Sequence, residues 1–224
     1  MKKRNRSSQR RPSAARNTAH SASGGHLNGQ KGGQGDGQIR LIGGDWRGRK
    51  LPVLSADGLR PTSDRVRETL FNWLQFDIPG ARVLDVFSGT GALGLEALSR
   101  GAKQVTLLEA ASKAARQLQA NLQRLAPAPD RATLVETDAL NWLVRTPVPD
   151  QTVYDGVFLD PPFGQGLMQP AVDALLNGHW VNDRSWLYLE QEKDAEWPEL
   201  PQGWSVVKEK TTAQVRFGLA KKES

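Results

Sequence analysis

One stretch limits the possible folds more than any other: Val83-Leu84-Asp85-Val86-Phe87-Ser88-Gly89-Thr90-Gly91-Ala92-Leu93-Gly94. An apolar run ends in glycines spaced G-x-G-x-x-G, and a segment with Leu93, Ala97 and Leu98 at helical spacing follows. A strand that turns this sharply into a helix needs residues without a Cβ, and the spacing is that of the first βα turn of nucleotide-binding sheets. The alternation then continues. Strands are expected over 82–87, 104–108, 132–135, 153–159 and 186–190, with helices over 91–100, 112–125, 139–144 and 167–176. Strands separated by helices of this size make βαβ units around a parallel sheet. Residues 204–210 and 214–219 alternate as a terminal antiparallel hairpin, so an α/β fold with a mixed sheet is expected.

Ahead of this core, 39–42 and 49–53 bracket Gly43-Gly44-Asp45-Trp46 as a hairpin. Thr62-Ser63-Asp64 offers N-caps to a helix over 65–75, with Val66, Leu70 and Trp73 on its buried side. Hairpin and helix are expected to pack on the cofactor edge of the sheet. Three regions result: a basic arm over 1–37, the hairpin and helix over 38–80, and a core over 81–224.

Charge separates the arm from the rest. Residues 1–37 carry eight Lys/Arg against Asp36 alone, a net +7, whereas the remaining chain is −1. The arm is rich in Ser, Gly, Gln and Asn and too poor in apolar residues to offset the entropy of ordering, so it is expected to be disordered. Such arms follow phosphate backbones or serve as solvated linkers. Within the body, Arg40, Arg47, Arg49, Lys50, Arg60, Arg65 and Arg67 face only Asp45, Asp57 and Asp64 across 39–67. The absence of Cys excludes disulfides and thiolate metal sites, and with three His residues no metal centre is expected. No apolar run approaches the roughly 20 residues of a membrane helix, and no apolar segment follows the basic N-terminus as in a secretory signal. A cytoplasmic protein is expected.

The acids beside the glycine loop decide between ligands. Glu109 lies 20 residues after Gly89, where an acid on the second strand grips ribose hydroxyls. Taken alone, this fits a nicotinamide dinucleotide. Asp85, however, ends the first strand facing the loop, and a pyrophosphate gains nothing from a carboxylate there. S-adenosylmethionine carries an ammonium and a sulfonium instead of phosphate, so an acid at that place attracts it. Asp138, past the third strand, is expected to accept from an adenine amino group, to cap the following helix, or both.

A second motif, Asp160-Pro161-Pro162-Phe163, closes the fourth strand. Its parts suit a planar exocyclic amine. The Asp160 carboxylate and the Pro161 carbonyl can accept both amino hydrogens and offset the charge that grows on nitrogen during transfer. Two prolines preset the backbone, and neither has an N–H to compete. Phe163 offers a flat face to a base drawn out of its stack. The bland alternative is a proline-rich loop with a packed Phe.

With these motifs the chain resembles the class I S-adenosylmethionine-dependent methyltransferases acting on amino groups, marked by [DNS]-P-P-[YFW]. More narrowly it resembles the bacterial 16S ribosomal RNA guanine-N2 methyltransferases of the RsmD type, from about Ile39 to Leu219. Its most specific stretches are Arg40-Leu41-Ile42-Gly43-Gly44 with Trp46-Arg47-Gly48-Arg49 and the run from Leu59 to Asn72, and the part from Arg60 to Asn72 narrows the choice. The resemblance implies a Rossmann-like, seven-stranded mixed sheet flanked by helices. It implies S-adenosylmethionine held by Asp85, Phe87, Ser88, Gly89, Gly91, Glu109, Asp138, Thr62 and Arg67, and catalysis by Asp160, Pro161, Pro162 and Phe163. It also implies 16S ribosomal RNA, in the small subunit or an assembly intermediate, engaged through Arg40, Arg47, Arg49, Lys50 and Arg60 by a monomer. The arm lies outside the resemblance. Open alternatives are an adenine or protein-glutamine methyltransferase, a dehydrogenase using the glycine fingerprint, and a non-catalytic RNA-binding module.

Overall fold

The computed structural model describes residues 37–54, 63–145 and 153–223. The basic arm up to residue 36, and Arg60 and Thr62 among the expected site residues, lie outside the described residues.

Strands β1 (Gly37–Arg40) and β2 (Lys50–Val53) pair antiparallel, with Gly37 opposite Val53. Helix α1 (Asp64–Trp73) starts at Ser63, whose hydroxyl accepts from Val66 N–H at 3.3 Å. Beyond it come β3 (Arg82–Asp85), α2 (Ala92–Ser99), β4 (Gln104–Glu109), α3 (Ser112–Leu125), β5 (Ala132–Glu136), α4 (Ala139–Leu143), β6 (Tyr154–Leu159), α5 (Met168–Asn177), β7 (Val181–Glu192), β8 (Trp204–Thr211) and β9 (Val215–Lys222). The seven later strands form one sheet ordered β5-β4-β3-β6-β7-β9-β8. β3 to β7 are mutually parallel, and β9 runs antiparallel to both β7 and β8.

The two faces bury separate cores. On one face lie the hairpin, α1, α2 and α3, contributing Ile39, Leu51, Leu70, Phe71, Leu93, Leu98, Leu118 and Leu122. On the other lie α4 and α5, with Leu143, Ala171, Val172 and Leu175. α2 is buried on every side, which explains its continuous apolar sequence. Gly156 lets the Trp186 indole lie against β6, since a Cβ there would stand 2.0 Å from the ring.

Three details differ from the sequence reading. The buried side of α1 is Val66, Arg67, Leu70 and Phe71, with Trp73 half-buried against Phe217 at 5.4 Å. The helix lies across the sheet, and Phe71 meets Phe158 edge-on at 5.9 Å. β7 begins five residues earlier than the 186–190 reading, at Val181. Its polar start is an irregularity in which Tyr154 pairs with Val181 but Gly156 with Trp186, and Ser185 donates to Tyr154 O at 2.7 Å. Finally, the hairpin turn docks on the C-terminal end of α2: Asp45 N–H donates to Ser99 O at 2.7 Å and Trp46 N–H to Ser99 Oγ at 2.9 Å. At the other end of the hairpin, Val53–Leu54 borders Gly89 and Thr90 of the glycine loop. The described residues of the segment therefore cover a face of the sheet and reach the glycine loop at Val53–Leu54.

Candidate active site

Sequence order along the sheet reverses between β3 and β6. From β3 the chain moves outward through β4 and β5; β6 returns to the other flank of β3. Loops diverge at such a switch point and leave a crevice at the carboxyl ends of the strands. Asp85 ends β3, and Asp160 directly follows β6.

Alternation of side chains puts these acids on one face. Val83 on β3, Val105 and Leu107 on β4, and Phe158 on β6 all belong to the core beneath α1 to α3. Asp85, Glu109 and Asp160 follow at even spacing and so share that face at the strand ends. With neighbouring strands about 4.8 Å apart, the row Glu109–Asp85–Asp160 spans about 10 Å.

Asp85 is 2% exposed, and its Oδ2 accepts from Gly94 N–H at 2.9 Å. Burial pushes its carboxyl up to about 7; the Gly94 bond opposes the rise, and the charges of Asp160 and Glu109 add to it. The third glycine is required here, because a Cβ at 94 would meet Leu107 at 2.6 Å and Asp85 Oδ2 at 2.9 Å. An amide near the N-terminus of α2, the usual seat of a pyrophosphate, is thus already held by the chain's own carboxyl. A dinucleotide would add anion to anion. A ligand bringing positive charge relieves the repulsion, and this donor set fits S-adenosylmethionine.

The loop before α2 is shaped by Gly89 and Gly91, at φ 51° and 79°. Ser88 donates its hydroxyl to Asp85 O at 3.0 Å and its N–H to Leu108 O at 2.9 Å, while Phe87 is half-buried. Glu109 Oε2 accepts from Gly89 N–H at 2.8 Å and Oε1 from Ala111 N–H at 2.7 Å. Each oxygen retains a second lone pair for a hydroxyl donor. Asp138 caps α4 through Asn141 N–H at 2.9 Å and is exposed, so the capping part of its expected role is present.

After β6, Asp160 is half-buried, Pro161 buried and Pro162 exposed; Phe163 is 44% exposed. A ring that open is not a core residue. Sequence reasoning missed what holds this loop: Glu192, at the end of β7, accepts from Gly164 N–H at 2.5 Å. It also missed Glu190, a buried acid at a position of β7 whose parity, set by Trp186 and Tyr188, faces the core. An acid in phase with two aromatic core residues was the available signal.

Arg67 sits in a buried cluster of ion pairs. Its guanidinium is 1% exposed, donates to Arg40 O at 2.9 Å and Asp64 Oδ1 at 2.5 Å, and lies 3.7 Å from Glu96 Oε2. Glu96, fully buried in α2, accepts from Ile42 N–H and Gly43 N–H at 2.8 Å each and from Arg100 at 2.7 Å. These two residues clamp the hairpin to α2, which gives Arg67 a structural role. Arg40, Arg47, Arg49 and Lys50 are exposed. Arg47 and Arg49 sit on the docked turn, separated from Gly91 by the length of α2, about 12 Å. A groove of about 530 Å³ between α5 and residues 197–201 contains none of the expected site residues.

The family model described as Conserved hypothetical protein 95 matches residues 39–221. The chain is 45% identical over 190 residues to ribosomal RNA small subunit methyltransferase D of Escherichia coli (strain K12), covering 85% of this chain and 93% of that protein. It is 46% identical over 184 residues to the protein of the same name from Haemophilus influenzae, covering 82% and 93%. The solved structure of yhhF from Escherichia coli superposes with a TM-score of 0.75 at 43% identity, over 84% of this chain and 99% of that one. The fold is that of the class I methyltransferases, with the expected mixed seven-stranded sheet. The chain belongs to the RsmD-type methyltransferase family.

Proposed function

We propose that this protein transfers a methyl group from S-adenosylmethionine to the exocyclic N2 amine of a guanine in 16S ribosomal RNA. The observation that carries the reading is the row Glu109–Asp85–Asp160 on one sheet face, with Phe163 open to solvent beside it. The names of the most similar relatives support a small-subunit ribosomal RNA substrate.

When bound, the cofactor supplies an electrophilic methyl carbon; the chain's own residues do the rest. Glu109 offers lone pairs to ribose hydroxyls, and Asp85 favours the cationic methionine end. Backbone groups of Phe87, Ser88, Gly89 and Gly91 line the turn between them, and Asp138 addresses the adenine. Asp160 and the Pro161 carbonyl accept the two amino hydrogens, which aims the nitrogen lone pair and offsets the positive charge growing on it. Asp160 then takes up the proton the nitrogen loses and passes it to solvent. Phe163 stacks on the extruded base. A direct transfer from sulfur to nitrogen needs no covalent enzyme intermediate. RNA affinity draws on Arg40, Arg47, Arg49, Lys50 and Arg60 and on the basic arm.

The test is incubation with labelled S-adenosylmethionine and small subunits from a strain lacking the family enzyme, with naked 16S RNA and assembly intermediates as further arms. N2-methylguanosine among the digested nucleosides is the expected product. Label in N6-methyladenosine or in protein would refute the reading.

A further inference from the structure

β7 continues the row of acids beyond Asp160. Leu159 of β6 pairs with Leu189 of β7, so the next residues, Asp160 and Glu190, lie side by side at the strand ends. Phe158 and Tyr188, two residues earlier, share the α1–α3 face, with ring centroids 6.1 Å apart. Glu190 thus follows Asp160 in the series Glu109, Asp85, Asp160, Glu190 across β4, β3, β6 and β7. Glu190 is 4% exposed, and its Oε2 accepts from the Tyr188 hydroxyl at 2.6 Å, which fixes its rotamer. Burial pushes the Tyr188 phenol well above its ordinary value, and the nearby charges of Glu190 and Asp160 push it the same way. Carboxylates are costly to bury, and the preceding positions of this phase, Trp186 and Tyr188, carry large aromatic rings. Glu192 further along β7 holds the loop that carries Phe163, so this strand end borders that loop.

Resting on the guanine-N2 reading above, we propose that Glu190 is the specificity-determining residue that accepts the ring N1–H of the target base while Asp160 and Pro161 hold its amine. On the Watson–Crick edge of guanine, N1–H and the N2 amine are adjacent donors. Adenine and cytosine put an unprotonated ring nitrogen beside their amine, which a carboxylate repels. The row then orders the site: ribose at Glu109, methionine end at Asp85, amine at Asp160, ring N–H at Glu190.

The test uses the full chain and small subunits reconstituted from 16S RNA whose methylated guanine, mapped from the wild-type product, is replaced by 2-aminopurine. That base keeps the amine and lacks N1–H. Wild type is expected to methylate guanine 10- to 100-fold faster in single turnover, the range of one good base contact. Glu190→Gln, whose amide can donate to an unprotonated ring nitrogen, is expected to narrow that ratio by tenfold or more, with unchanged calorimetric affinity for S-adenosylmethionine. A purely structural Glu190 would slow both substrates equally, and that result overturns the inference. Equal wild-type rates on the two bases overturn it without any variant, so a failure of Glu190→Gln to fold does not shield it. A wild-type product other than N2-methylguanosine removes the functional reading itself, and this inference with it.

Discussion

Replacing Asp85 by Asn separates the cost of the site from its use. The carboxyl is 2% exposed and titrates at about 7 in the folded protein, against 3.8 for an unperturbed Asp. Burial is the main cause, and the neighbouring charges of Asp160 and Glu109 add to it. The folded state therefore holds this proton more tightly than the unfolded chain. The stability it contributes is complete below pH 3.8, falls as pH rises, and is gone above pH 7. A shift of about three units at 1.36 kcal/mol each makes the alkaline penalty about 4 kcal/mol. Asn keeps the shape and the acceptor for Gly94 N–H but never ionises. The ligand-free Asp85→Asn protein should match wild type below about pH 3.8, exceed it by roughly 1.5 kcal/mol near pH 5 and by about 4 kcal/mol at pH 8.5, or roughly 8–16 °C in Tm for a chain of this size. Its affinity for S-adenosylmethionine should fall at least tenfold, because a charge-assisted contact of about 1.5–3 kcal/mol is lost. Urea and thermal unfolding across this pH range, with calorimetric titration of the cofactor, read both quantities. An Asn variant no more stable than wild type at pH 8.5 would refute the electrostatic argument.

Other substitutions probe separate parts. Glu192→Ala removes the acceptor of Gly164 N–H and should slow single-turnover methylation about tenfold through a looser loop, with cofactor affinity unchanged in calorimetry. Arg67→Ala leaves Glu96 with one fewer cation in a buried setting and should cost about 3–5 kcal/mol in urea unfolding. Removing residues 1–36 should weaken RNA binding and flatten its salt dependence, measured by filter binding across salt concentrations, while cofactor affinity stays constant.

The sequence was most legible where one physical rule dominated. α3 is amphipathic throughout, and its 112–125 reading matches Ser112–Leu125. The glycine loop was legible because Gly89 and Gly91 need positive φ and Gly94 needs room. The open ring of Phe163 was foreseeable from its place after two prolines. Less legible was anything set by tertiary packing. Val181–Arg184 reads as polar turn sequence, yet it joins β7 through an irregular pairing. Arg67 looks like a ligand-binding arginine in a basic stretch, and only the folded chain reveals Glu96 opposite it. Glu192 and Gly164 are 28 residues apart, and no local pattern links them.

The role proposed for Asp160 is to act on a guanine amine rather than merely to end a strand. Its most direct test is single-turnover methylation of small subunits by wild type and Asp160→Ala at saturating S-adenosylmethionine, with the product nucleoside identified by mass spectrometry. Wild type is expected to give N2-methylguanosine, and Asp160→Ala a rate about 10²–10³ lower with cofactor affinity retained. A near-wild-type rate for Asp160→Ala, or methyl groups on any other acceptor, would contradict that role.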